Sequence, residues 1–162
     1  MYRPKYLKAD ELVWKDLYLQ LEKQKRTDRI LWQFNPLVLM TADLLREKYG
    51  AITVNNWSGG GSFQNRGLRP DDTSVGAALS AHKRGAALDC NFRNASAEEI
   101  RQDMKKAGCF KPGFKNNVPP GYDCFKYINR VESTLSGKPI SWFHFDIFNC
   151  YNPDGSIIEL HV

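Results

Sequence analysis

His82 and Asp89 stand seven residues apart in Ser80-Ala81-His82-Lys83-Arg84-Gly85-Ala86-Ala87-Leu88-Asp89, with small residues between them. An aspartate that closes a small, apolar run reads as a carboxylate on a buried strand, which is costly unless the charge is paired or bound to a cation. His144 lies far downstream in Ser141-Trp142-Phe143-His144-Phe145-Asp146-Ile147, an apolar, strand-like context. Two imidazoles and one carboxylate make three protein ligands. A zinc ion held by three keeps one position for water, the arrangement of a hydrolytic site. Taken singly, each residue has a plainer role: His82 as a surface histidine in a turn, Asp89 as the partner of an arginine, His144 as a satisfied core histidine. Trp142, Phe143 and Phe145 are expected to form a dry wall around His144.

Ser80, His82, Gly85, Ala87 and Asp89 fill, position for position, the pattern Ser-x-His-x-x-Gly-x-Ala-x-Asp. Phe143-His144-Phe145-Asp146 is similar to a closing motif that reads aromatic-Val-His-Val-Asp. In these segments the chain resembles the superfamily of zinc D-Ala-D-Ala carboxypeptidases, phage endolysin peptidases and the hedgehog signalling domain. The resemblance covers about residues 52–92 and 122–148 and is absent from the N-terminal third. Two motifs in the proper order are a specific signal. The resemblance implies zinc as cofactor, His82, Asp89 and His144 as its ligands, and a peptidoglycan peptide as substrate.

Peptide hydrolysis also needs a base for the attacking water. Many members of the superfamily carry an acidic residue three positions before the last histidine ligand; here that position is Ser141. Two substitutes are available. Glu132, on the preceding strand, is expected to pair near Trp142 and share a face with His144. Asp146 shares that face by alternation, either as base or as a carboxylate that orients a ligand. Absence of a competent base is the third possibility.

Substrate binding in the carboxypeptidases uses an arginine ahead of the first histidine. The nearest match is Arg66 in Phe63-Gln64-Asn65-Arg66, sixteen residues before His82, with Arg69 as competitor. A guanidinium there can grip a peptide carboxylate through two hydrogen bonds. Ser80 cannot pair as a nucleophile with a metal-bound imidazole, so it is assigned to the substrate-binding edge, orienting the loop by hydrogen bonding.

Elements that must position these residues follow from pattern and punctuation. An amphipathic helix is expected over 10–25, capped by Asp10, with Val13, Leu17 and Leu21 on one face. A second is bounded by Asn35 as N-cap, Pro36 in the first turn and Gly50 as terminator, with Leu37, Met40, Leu44 and Leu45 as its core stripe. Residues 52–57 read as a strand leading into a glycine-rich, polar connection that rims the site. Residues 87–92 suit a central strand. Ser96 and Glu99 form a capping box for a helix through Ala107, closed by Gly108. Residues 125–133 and 140–148 read as a hairpin around Ser136-Gly137-Lys138, and 157–161 as a last strand. This order predicts an α+β fold, a single domain over 1–162 with a mostly antiparallel sheet and flanking helices; the resemblance implies that it is hedgehog/DD-peptidase-like in detail. Residues 1–50 form its helical part and 51–162 the sheet core that carries the metal site.

Composition sets the outer limits. The 162 residues are 42% hydrophobic and 25% charged, which suits a folded domain and argues against disorder. No apolar run approaches the roughly 20 residues that span a bilayer, so membrane insertion is not expected. The N-terminus lacks an apolar stretch and cleavage site, so synthesis in the cytoplasm is expected, with another route out to a cell wall. A net charge of +5 favours polyanions. The basic residues are scattered and no nucleic-acid-binding motif is present, so an anionic wall is the preferred partner and nucleic acid is not. Cys90, Cys109, Cys124 and Cys150 have no Cys-x-x-Cys pair and are expected as reduced, mostly buried thiols.

The leading expectation is therefore a zinc metallopeptidase that hydrolyses a D-amino-acid-containing bond of peptidoglycan stem peptides. Its features suit a phage lysis or tail-associated enzyme, with virion components as partners, and a bacterial cytoplasmic peptidase as well. The alternative is a catalytically weak or inactive zinc-stabilised module that binds the wall or serves in a virion. A metal-independent binding domain would require the ten-residue motif to be coincidence.

Overall fold

The computed structural model describes residues 1–148 and 152–161. Its centre is a five-stranded sheet in the order β1 (Ile52–Thr53), β2 (Ala87–Phe92), β4 (Lys138–Asp146), β3 (Arg130–Leu135), β5 (Ile158–His161). All pairings are antiparallel except β3 with β5. Helices α1 (Ala9–Leu12), α2 (Lys15–Lys23), α3 (Pro36–Tyr49) and α4 (Ala97–Lys106) flank it, so the fold is α+β.

Alternation along β2 and β4 separates two chemistries. Leu88 pairs with Phe145 and Cys90 with Phe143, and all four are buried on the core face. Phe92 makes edge contacts with Tyr49 of α3 and with Phe143. On the other face, Asp89, His144 and Glu132 form one cross-strand row and Ala87, Asp146 and Arg130 the next. Side chains two apart along a strand share a face, so the polar residues come together while the apolar ones close the core. The expected aromatic wall is thus corrected: Phe143 and Phe145 point away from His144, and only Trp142 shares its face.

The β3–β4 hairpin turns through Ser136 and Gly137, both with positive φ (51° and 74°), as a two-residue primed turn requires. An unshifted ladder from Leu135↔Lys138 would set Glu132 opposite Ser141. A register shift between Glu132 and Thr134 brings Glu132 opposite His144 instead, correcting the expected pairing near Trp142. The strand also begins at Arg130 rather than 125, because Asp123–Phe125 is a 3-10 turn that buries Phe125.

Three helix expectations change. The segment 10–25 breaks at Val13, whose carbonyl accepts from Asn55 Nδ2 and Trp57 Nε1, both at 3.0 Å, while the Leu12 carbonyl accepts from Leu68 N–H at 2.8 Å. Carbonyls engaged by distant residues do not continue the helix ladder. Lys8, not Asp10, is the N-cap, and its N–H donates to Glu11 Oε2 at 2.8 Å. In α3 the predicted bounds hold, with Asn35 Oδ1 accepting from Leu37 N–H. Its buried face, however, is Val38, Leu39, Ala42, Leu45 and Tyr49, and Leu37 is exposed. The Ser96–Glu99 capping box forms as expected, with Ser96 Oγ accepting from Glu99 N–H and Glu99 Oε2 accepting from Ser96 N–H. The 52–57 strand shortens to two residues because Asn55 turns out of the ladder: its side chain reaches Val13, and its Oδ1 accepts from Arg66 N–H. Cys90, Cys109 and Cys124 are free and buried; Cys150 lies outside the described residues.

Candidate metal centre

His82 is delivered by the 3-10 turn Ala81–Arg84. Ser80 Oγ accepts from His82 N–H at 3.4 Å to open the turn, and Gly85 ends it in the left-handed region at φ 60°. A Cβ at Gly85 would lie 1.9 Å from the Gln33 carbonyl oxygen, so the chain passes where only glycine fits. His82 Nδ1 lies 2.8 Å from the Gly67 carbonyl oxygen. A carbonyl only accepts, so Nδ1 carries the proton and the Nε2 lone pair is left for another partner.

His82 Nε2 lies 3.3 Å from His144 Nδ1 and 3.4 Å from Asp89 Oδ1. His144 Nδ1 lies 2.8 Å from Asp89 Oδ1. All three residues are buried, and among the described residues this group alone gathers ligand atoms that could hold a metal ion. Two edges of the triangle, 3.3 and 3.4 Å, match those of a tetrahedral site with bonds of about 2.0–2.1 Å, and the third, at 2.8 Å, is a hydrogen-bond distance that a bound ion would have to widen. Two imidazole nitrogens and one carboxylate oxygen are also a donor set that zinc accepts.

Each ligand is held from behind, as metal-binding residues generally are. His144 Nε2 faces Asp146 Oδ2 at 3.4 Å, with Glu132 Oε1 at 3.9 Å. Asp146 is gripped by Arg130, whose Nε lies 3.0 Å from Oδ1 and 2.9 Å from Oδ2, with Nη2 at 2.7 Å from Oδ2. Asp146 thus sits on the ring edge opposite the triad, as a carboxylate that orients His144. The arginine partner expected for Asp89 in its plainer role is also present: Arg69 Nη2 donates to Oδ2 at 2.7 Å.

Burial disfavours a charged His144, but hydrogen bonds to Asp146 and Asp89 and the nearby carboxylates outweigh it and raise its pKa to about 10. Burial lowers the pKa of His82. Burial also opposes ionisation of Asp89, yet its contacts with His82 and His144 hold its carboxyl well below the usual range. The metal-free site therefore carries a proton where a cation can sit.

Arg66 meets the triad only through its backbone, where its carbonyl accepts from Asp89 N–H at 2.8 Å. Its guanidinium stacks 3.5 Å from the Phe63 ring centroid, lies 5.9 Å from that of Trp142, and donates from Nη1 to Asn91 Oδ1 at 3.0 Å. Arg66, Phe63 and Trp142 line an open cleft of about 250 Å³ that also reaches Arg69, Val75 and Asp89. The connection after β1 does rim the site. Ser80 lies outside that lining and serves the turn. His161 is exposed on the edge strand, with Nδ1 3.0 Å from Ser133 Oγ. The Gly67 carbonyl and Asn91 escaped sequence reasoning; a backbone acceptor has no residue signature, and Asn91 reads only as an outward strand position.

No protein-family model, curated protein or solved structure matches the chain. No helix among the described residues is long and apolar enough to cross a membrane. The class of site rests on its own geometry: a buried His-Asp-His group beside an open, basic and aromatic cleft.

Proposed function

We propose that the chain is a zinc-dependent peptidase that hydrolyses peptidoglycan stem peptides at a bond involving a D-amino acid. The observation that carries this reading is the convergence of His82 Nε2, Asp89 Oδ1 and His144 Nδ1 beside an open cleft that reaches Asp89. Zinc held by His82, Asp89 and His144 would supply Lewis acidity for the scissile carbonyl and for activation of water. His82 and His144 keep fixed tautomers through Gly67 and Asp146. Arg66, backed by Phe63, offers its guanidinium to a substrate carboxylate. Glu132 is the candidate base: it stands on the His144 row and is partly open to solvent, and a turn of its side chain from the Nε2 edge of His144 to the triad side would let it take a proton from attacking water and return it to the leaving amine. Cytoplasmic synthesis followed by action on the bacterial wall, as a phage lysis or tail-associated protein, fits this substrate.

A second reading, a zinc-stabilised wall-binding or virion module without turnover, is favoured by one observation. Glu132 approaches the Nε2 edge of His144 rather than the Nδ1 edge that faces the triad, and Ser141 offers no acid. Digestion of purified wall separates the two readings. Zinc-dependent release of new amino groups or D-amino acids, abolished by chelation and reduced at least a hundredfold in Glu132→Ala, is the expected result. One equivalent of zinc bound without turnover on any muropeptide establishes the module instead.

A further inference from the structure

The second oxygen of Asp89 carries a further inference, which rests on the metal-site reading above. Oδ1 turns to the two histidines, whereas Oδ2 is engaged by Arg69 Nη2 at 2.7 Å, with side-chain exposures of only 12% for Arg69 and 8% for Asp89. The guanidinium is fixed along a second edge, where Nε donates to the Asn65 carbonyl at 2.5 Å. At its third corner, Nη1 stands 2.7 Å from where a Cβ on Gly76 (φ +80°) would lie. The backbone N–H of Arg69 donates to the His82 carbonyl at 3.3 Å, so one residue touches both ligand-bearing segments. The loop beyond it is tied to the His82 turn, with Lys83 Nζ donating to the carbonyls of Asp71 at 2.7 Å and Thr73 at 3.3 Å.

A carboxylate with both oxygens free can chelate a divalent cation, which consumes the position a hydrolytic site must leave open. A planar guanidinium held on several edges does not follow a rotating carboxylate, and its charge-assisted bond competes for the second oxygen. We propose that Arg69 is a positioning residue that restricts Asp89 to one metal-facing oxygen, and that the loop over residues 70–80 sets Arg69 through the close approach at Gly76. Arg69 thereby couples the wall of the cleft to the coordination number of the centre. This differs from neutralising a buried aspartate, for which any cation of similar reach would serve.

Cobalt(II) replaces zinc as a spectroscopic probe in wild type, Arg69→Lys, Arg69→Gln and Gly76→Ala, with circular dichroism reporting the fold. Wild type is expected to bind one cobalt with the intense visible bands of a low-coordinate site. Arg69→Lys and Arg69→Gln are expected to lose zinc affinity by about ten- to a hundredfold and to show the weak bands of higher coordination. Gly76→Ala, outside the ligand set, shifts the spectrum in the same direction by a smaller amount, and keeps the test decisive should Arg69→Gln fail to fold. Wild-type affinity and spectrum in both Arg69→Lys and Gly76→Ala overturn the proposal while leaving the metal site intact. Absence of bound zinc and cobalt in wild type overturns the metal-site reading, and this inference with it.

Discussion

Nε2 of His144 lies 3.4 Å from Oδ2 of Asp146, two residues further along the same strand, while Nδ1 of the ring turns to Asp89 and His82. One short stretch of β4 therefore supplies both a candidate ligand and the carboxylate that sets its orientation. Arg130, directly across on β3, holds that carboxylate in turn. The two carboxylates near Nε2 differ in exposure, with the Asp146 side chain at 2% and that of Glu132 at 28%.

Replacing Asp146 by asparagine keeps the shape and removes the charge. Zinc affinity is expected to fall about ten- to a hundredfold, as for other carboxylates behind metal-bound histidines. The melting temperature should fall too, because the buried Arg130–Asp146 ion pair is lost. Competition with a chromophoric chelator measures the first effect, and an unchanged affinity would place Asp146 outside the site's support.

Zinc binding should release about one proton at pH 8, because the metal-free site protonates His144 with a pKa of about 10. The folded value lies above the unfolded value of about 6.5, so protonation stabilises the metal-free fold. That contribution is complete below pH about 6.5 and disappears as pH rises through about 10. Titration calorimetry in buffers of different ionisation enthalpy counts the proton. Zinc binding whose heat is independent of the buffer would contradict this account. Melts of the metal-free protein should lose part of their pH dependence between 7 and 10 in His144→Gln.

Gly85→Ala tests how the His82 turn is seated. The new methyl would meet the Gln33 carbonyl at 1.9 Å in a backbone with φ +60°. A loss of more than about 1 kcal/mol in urea unfolding is expected, accompanied by weaker metal binding. A variant with wild-type stability and metal affinity would mean that the turn can relax without moving His82.

What was legible in the sequence was local or chemical. Asn35 with Pro36, the Ser96–Glu99 box and the Ser136-Gly137 turn are read from neighbours because their hydrogen bonds close within a few residues. Period-two alternation likewise places Asp89 and His144 on strands, and the cost of burying a carboxylate marks Asp89 as needing partners. The candidate triad was legible through the two motif segments that carry His82, Asp89 and His144, because His82 by itself stands in a turn and has no strand signal.

Only tertiary structure decided the rest, because it turns on contacts between residues far apart in the chain. The break at Val13 follows from Asn55, Trp57 and Leu68 engaging carbonyls that a continuous helix would have used. The register shift in β3–β4 moves Glu132 from Ser141 to His144, and no pattern in either strand announces it. Whether His144 turns Nδ1 or Nε2 toward Asp89 depends on where Arg130 holds Asp146. Arg66 and Arg69 differ by three positions in one loop, yet one stacks on Phe63 and the other clamps Asp89, a candidate ligand. Residue type sets which chemistry is possible at a position, and packing across the fold sets which atom performs it.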